Sequence, residues 1–150
     1  MIEPLKKLIH YLEGKWICQQ TIYDFTNKII NINQDKINYL TLKKIDKAEL
    51  INCSYICQYS NNKKIVYKYV NSNNYYPVQG TIKKLDQNII TNYFFKLENE
   101  NLLKIEYLNN NIKYTEYVYF LHKNFKLSII LLKTIKYYNA VCFMSSIKIN

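Results

Sequence analysis

The sequence has no arginine: all 21 of its basic residues are lysines. Any permanently charged side chain it offers an anion is therefore an ammonium group, a point charge and not the flat two-pronged guanidinium fork. Glycine and proline are scarce, at two each, and no Gly/Ser-rich stretch marks a linker, so residues 1–150 read as one domain. No apolar run is long enough to cross a bilayer; the longest lies near Leu127 to Leu132. The start lacks a secretory pattern, because Met1 to Glu13 mixes acids and lysines in a short amphipathic helix. The four cysteines, Cys18, Cys53, Cys57 and Cys142, lack zinc-site spacing: Cys53-x-x-x-Cys57 has no second pair to complete it. Without a secretory signal a disulfide framework is not expected either. The thiols read as core residues, and no metal is expected.

What the chain does have is 49% hydrophobic residues in 150, enough for one core, and a strong bias to Asn, Ile, Lys and Tyr, with 16 tyrosines. These are residues with A/T-rich codons, which points to an AT-rich genome such as a plastid's. A plastid-encoded protein of the stroma would need no transit peptide. The net charge of +10 suggests an anionic partner, either nucleic acid, an acidic protein or a ligand with carboxylates. The lysines are scattered, however, and a solvated surface explains them equally well.

Leu5, Leu8, Ile9 and Leu12 fall at helical spacing, so the pattern predicts a helix over 4–12, ended by Gly14. Most of the remainder alternates as strands: Trp16–Phe25, Lys28–Ile32, Lys36–Leu42, Cys53–Tyr59, Lys64–Val70, Val78–Leu85, Ile89–Leu97, Leu102–Leu108, Ile112–Leu121, Phe125–Lys136 and Ala140–Ile149. Residues 43–51 are ambiguous and fit a helical turn. Asn-rich turns, such as Asn71 to Asn74 and Asn109 to Asn111, separate the strands. This pattern predicts an all-β, antiparallel sheet that closes on itself, with room inside for one small ligand.

Alternation then sorts the residues by face. Glu116 shares a face with Ile112, Tyr114, Val118 and Phe120, an unusual place for an acid unless it is paired or at a rim. Phe125, Leu127, Ile129 and Leu131 form an apolar face expected to pack on a core; Lys126 and Ser128 lie opposite, where they could line a pocket. In the last strand Ser146 and Lys148 repeat that arrangement beside Cys142 and Met144. Two such strands suit an apolar ligand with carboxylates. On residues alone, ordinary exterior lysines remain the simpler reading.

Several stretches resemble one family. Gly14-Lys15-Trp16-Ile17-Cys18-Gln19-Gln20-Thr21 resembles the opening Gly-(Lys/Arg)-Trp-x-Ser-Gln-Arg-Thr of the S-type phycobiliprotein (bilin) lyases, the CpcS/CpeS group; Gly-x-Trp is also found in lipocalins and fatty-acid-binding proteins. Leu103-Lys104-Ile105-Glu106-Tyr107, Glu116-Tyr117-Val118-Tyr119-Phe120, Asn124-Phe125-Lys126-Leu127-Ser128 and Phe143-Met144-Ser145-Ser146-Ile147-Lys148-Ile149 resemble later family segments, in order and without gaps from about residue 91. Residues 26–75 match poorly.

The resemblance implies a lipocalin-like barrel of about ten strands with a short N-terminal helix. It also implies that a phycobilin, phycocyanobilin or phycoerythrobilin, is bound non-covalently and then attached through a thioether to a cysteine of a phycobiliprotein subunit. The nucleophile would belong to that acceptor. Carried over by position, the propionate-binding cation is Lys126, with Lys148 as a further candidate. Ser128, Gln20 and Ser146 stand where the family has two arginines and an acid. Trp16, Tyr93, Tyr107 and Tyr119 are expected as aromatic walls. Glu116 and Glu106 are the retained acids, expected to favour the protonated, more electrophilic pigment. The same barrel could instead carry bilin or another hydrophobic anion without promoting attachment, as the lost charges suggest. A third alternative is a basic barrel stacking single-stranded nucleic acid on its tyrosines, although no matching motif is present and nucleic acid is not the expected partner. The oligomeric state stays open, a homo- or heterodimer included.

Overall fold

The computed structural model describes residues 3–42, 52–71 and 78–149. One helix, α1 (Glu3–Leu12), precedes ten strands: β1 (Gly14–Asp24), β2 (Ile29–Leu42), β3 (Asn52–Tyr59), β4 (Lys64–Asn71), β5 (Gln79–Asp86), β6 (Ile89–Asn99), β7 (Leu102–Asn109), β8 (Ile112–His122), β9 (Phe125–Lys133) and β10 (Tyr138–Ile149). Each strand pairs antiparallel with its sequence neighbour, and β1 pairs with β10 to close the barrel. This is the ten-stranded, helix-led barrel that the pattern and the resemblance predict.

The helix plugs one end. Its apolar stripe, Leu5, Leu8, Ile9 and Leu12, is buried to 6% exposure or less. The Trp16 indole N–H donates to the Leu12 carbonyl at 2.8 Å, tying β1 to the last helical turn. Gly14 makes the sharp passage between them at φ +125°, a conformation side chains resist. At the opposite end the chain turns tightly: Gln87-Asn88 and Asn110-Asn111 all have positive φ, the requirement of two-residue hairpins whose twist suits the strands. The Asn-rich composition thus has a structural use there. Cys18, Cys57 and Cys142 are buried free thiols; the Cys53 side chain, residues 43–51 and the turn at 72–74 lie outside the described residues.

Three expectations are corrected. The separate strands Lys28–Ile32 and Lys36–Leu42 are one, β2, which pairs with β1 through Asn31, Asn33 and Asp35 without a break. Polar residues persist there because that stretch runs toward the hairpin end, away from the apolar plug. The segment expected over Phe125–Lys136 stops at Lys133. The apolar face of β9 does not pack on the core: Leu127 is 36% exposed, and Phe143 and Ile147 on β10 are 54% and 56% exposed. The opposite face points inward, since a barrel that keeps polar groups inside leaves the apolar alternates outside.

Candidate functional site

Within the barrel, between the helix plug and the hairpin end, is a cavity of about 320 Å³, at the lower end of the range for small-molecule sites. Seven tyrosines line it: Tyr39, Tyr55, Tyr59, Tyr67, Tyr69, Tyr93 and Tyr114. Between them stand Lys84, Lys126, Glu116, Gln20, Ser128 and Cys57, with Ile82, Ile105, Ile130 and Met144 supplying apolar wall. The tyrosines pack ring against ring, Tyr55 on Tyr67 at 5.2 Å and Tyr69 on Phe95 at 5.2 Å, so the β3–β6 side is a fixed aromatic surface.

Lys126 enters from β9 near the plug and is 6% exposed. Its ammonium donates to the Tyr39 hydroxyl at 3.1 Å and lies 4.5 Å from the Tyr39 ring centre and 5.1 Å from that of Trp16. Aromatic faces and one phenol are its partners, and among the described residues no carboxylate pairs with it. Burial pushes its pKa down; Glu116 is among the groups that oppose the shift and Lys148 adds to it. An under-compensated cation of this kind is costly to the empty barrel and suited to an anionic ligand.

Glu116 enters from β8 and accepts from the Tyr114 hydroxyl at 3.1 Å. Burial pushes its pKa up, against the hydrogen bond from Tyr114 and the charges of Lys126 and Lys84. A carboxyl held this way can keep a proton above the usual carboxylate range and pass it to a basic nitrogen. Burial also raises the phenol pKa values of Tyr39, Tyr55 and Tyr67, leaving neutral hydroxyls that can donate to carbonyl oxygens. The Cys57 thiol is pushed up to about 12, again by burial first, so it is no nucleophile near neutral pH.

Of the residues singled out in the sequence, Lys126, Ser128, Gln20, Glu116 and Tyr93 line this cavity together. Gln20 donates to Cys142 Sγ at 3.2 Å. Tyr107 packs against Tyr93 at 5.2 Å between ring centres and backs the wall without forming it. Trp16 lies under Lys126, and the Lys148 ammonium lies 5.2 Å from the Trp16 ring centre at the plugged end, outside the cavity lining. Ser146 is 1% exposed and donates to Cys18 Sγ at 3.1 Å, so it belongs to the core.

Two more expected site residues lie on the outer face of the barrel. Glu106 is on the outer face of β7, paired with Lys104 at 3.1 Å and Lys113 at 3.3 Å; Leu103, Ile105 and Tyr107 take the inward positions. Tyr119 is on the outer face of β8, because Val118 and Phe120 take the inward positions. Lys84 and most of the tyrosine wall are additions to the expected set. The signal for Lys84 was present: it is in phase with buried Ile82.

A closed antiparallel barrel, stoppered by a helix and holding an aromatic cavity with a buried ammonium, has the architecture of the lipocalin and fatty-acid-binding-protein type. No family model matches the chain. It is 35% identical over 155 residues, 96% of this chain and 97% of the relative, to the chromophore lyase CpcS/CpeS homolog of Gracilaria tenuistipitata var. liui. The chain belongs to the CpcS/CpeS chromophore lyase family. Its fold is also that of the S-type phycobiliprotein lyase CPES from Guillardia theta, with a TM-score of 0.69 over 97% of this chain and 93% of that one, at 8% identity.

Proposed function

We propose that the chain binds a phycobilin in this cavity and promotes its attachment to a cysteine of a phycobiliprotein subunit. The observation that carries the reading is the juxtaposition of Lys126 and Glu116 in one tyrosine-lined space. Lys126 takes a propionate, a charge-assisted contact that replaces part of the solvation it lacks when empty. Tyrosine rings hold the conjugated system, and their hydroxyls donate to its terminal carbonyls. Glu116 gives its proton to a pyrrolic nitrogen and remains as the carboxylate partner of the cationic pigment. The protonated pigment is the better electrophile. The acceptor thiol then adds across the exocyclic double bond of ring A: sulfur bonds to the outer carbon, the thiol proton ends on the ring carbon, and nothing leaves. Holding the pigment in one orientation limits wrong adducts. The AT-biased composition supports a plastid setting, which locating the coding sequence would check.

Titration of the purified protein with phycocyanobilin tests the binding step. The expected result is a red-shifted, sharpened band that needs far more pigment to appear in Lys126→Met. Glu116→Gln should still bind but without the spectrum of the protonated pigment. An unchanged free-pigment spectrum with the wild type overturns the reading. A carrier that binds without promoting attachment is the second reading, favoured by Ser128 and Gln20, uncharged cavity residues at positions where the resemblance has arginines. Co-expression with a bilin pathway and each acceptor subunit separates the two by the presence or absence of covalent pigment.

A further inference from the structure

We infer that Lys84 on β5 forms a second anion subsite, so that the barrel holds a ligand by two carboxylates on opposite walls; this rests on the pigment-binding reading. On β5 the inward positions are Gly80, Ile82, Lys84 and Asp86, while Lys83 points out. Lys84 is paired across the sheet with Tyr67 and Thr91 and borders the cavity beside Tyr67. In the closed ring of ten strands β5 and β9 stand four apart, so Lys84 and Lys126 face each other across the lumen. They also differ in depth: Lys126 is near the plug, and Lys84 is nearer the hairpin end.

Among the described residues Lys84 makes no ion pair. Asp86, the next inward position, is held by Lys63 at 3.3 Å, and Glu116 is held by Tyr114. Cys57 and Glu116 line the same cavity as both ammonium groups, and the two positive charges oppose the burial that raises the pKa of each. β9 supplies one cation and a serine, Ser128, so the second positive charge comes from the far wall. A diacid would be spanned, with its conjugated middle over Glu116; a monoacid could satisfy only one end.

The test is a titration of the purified full chain with phycocyanobilin and with its dimethyl ester, whose propionates are capped. Lys84→Met should weaken the diacid about tenfold or more, the scale of one charged hydrogen bond, and leave the diester unchanged, while Lys84→Arg restores the diacid. Equal diacid affinity in Lys84→Met and wild type overturns the inference and leaves the pigment reading standing. Loss of diacid and diester alike in both Lys84→Met and Lys84→Gln overturns it too. A wild type that ignores both pigments overturns the pigment reading, and this inference with it.

Discussion

At the helix end of the barrel, Leu5, Leu8, Ile9 and Leu12 meet Trp16, Leu97 and Leu103, and none is more than 6% exposed. Toward the hairpin end β1, β5 and β8 turn Gln20, Lys84, Glu116 and Tyr114 into open space. The two regions differ because one is filled and the other is kept empty. Packed apolar contacts supply stability, and the polar cavity must be carried by it, since its charged groups are poorly compensated without a ligand. Lys126 stands on the boundary, with its rings from the packed side and its ammonium toward the cavity.

The comparison breaks most readily at the plug. Leu8 is 2% exposed, and Leu8→Ala should cost about 2–5 kcal/mol of unfolding free energy, read from the denaturant midpoint. Pigment affinity of the folded fraction should change little, because Leu8 does not line the cavity. A loss well below that range would mean that the helix is an attachment and not a stopper.

The next effect has the opposite sign. Lys126→Met keeps the volume and removes a buried charge, so the empty protein should become more stable while pigment binding falls. Lys126 has its pKa depressed by burial. Its neutral form is thus favoured in the folded state, and stability is lost as pH falls from the ordinary lysine value through the depressed one. The gap between variant and wild type should therefore open as pH falls through that window and stay open at neutral pH. A gap independent of pH across the alkaline range would show that Lys126 is not desolvated.

Smaller again is Gly14→Ala. At φ +125° a side chain is strained, by about 1–2 kcal/mol. The new methyl would meet only the flexible Lys148 chain, whose Cδ is 3.4 Å away. The loss should appear in the melting temperature and leave the cavity untouched.

The sequence made the fold legible because turns and alternation recur from β3 to β10, and it made Glu116 legible because an acid in phase with Val118 and Phe120 has nowhere to go but inward. It was less informative where the barrel inverts the usual order. An amphipathic strand does not say which face is inside when the interior is polar, so the apolar face of β9 was assigned to the core. The gap left between Ile32 and Lys36, over Asn33, Gln34 and Asp35, has the same cause. Lys84 was hidden beside Lys83, two identical residues whose difference is only their parity relative to Ile82.

The smallest effect discriminates most sharply between resemblance and parity. Glu106 stands in a segment that resembles the family and was expected to act on the pigment, yet Ile105 and Tyr107 take the inward places beside it. Lys104 and Lys113 hold its carboxyl below the usual carboxylate range, first through the hydrogen bond from Lys104. The site is on the surface, where such pairs contribute about 0–1 kcal/mol and are screened by salt. Glu106→Gln should therefore lower stability by less than about 1 kcal/mol, with the difference shrinking at high salt, and should leave the pigment spectrum and covalent attachment as in the wild type. Glu116→Gln beside it should alter the spectrum while Glu106→Gln does not. If Glu106→Gln instead abolished the red-shifted band, the pigment would have to lie against the outer face of β7, and the distinction between filled and empty ends would no longer locate the chemistry.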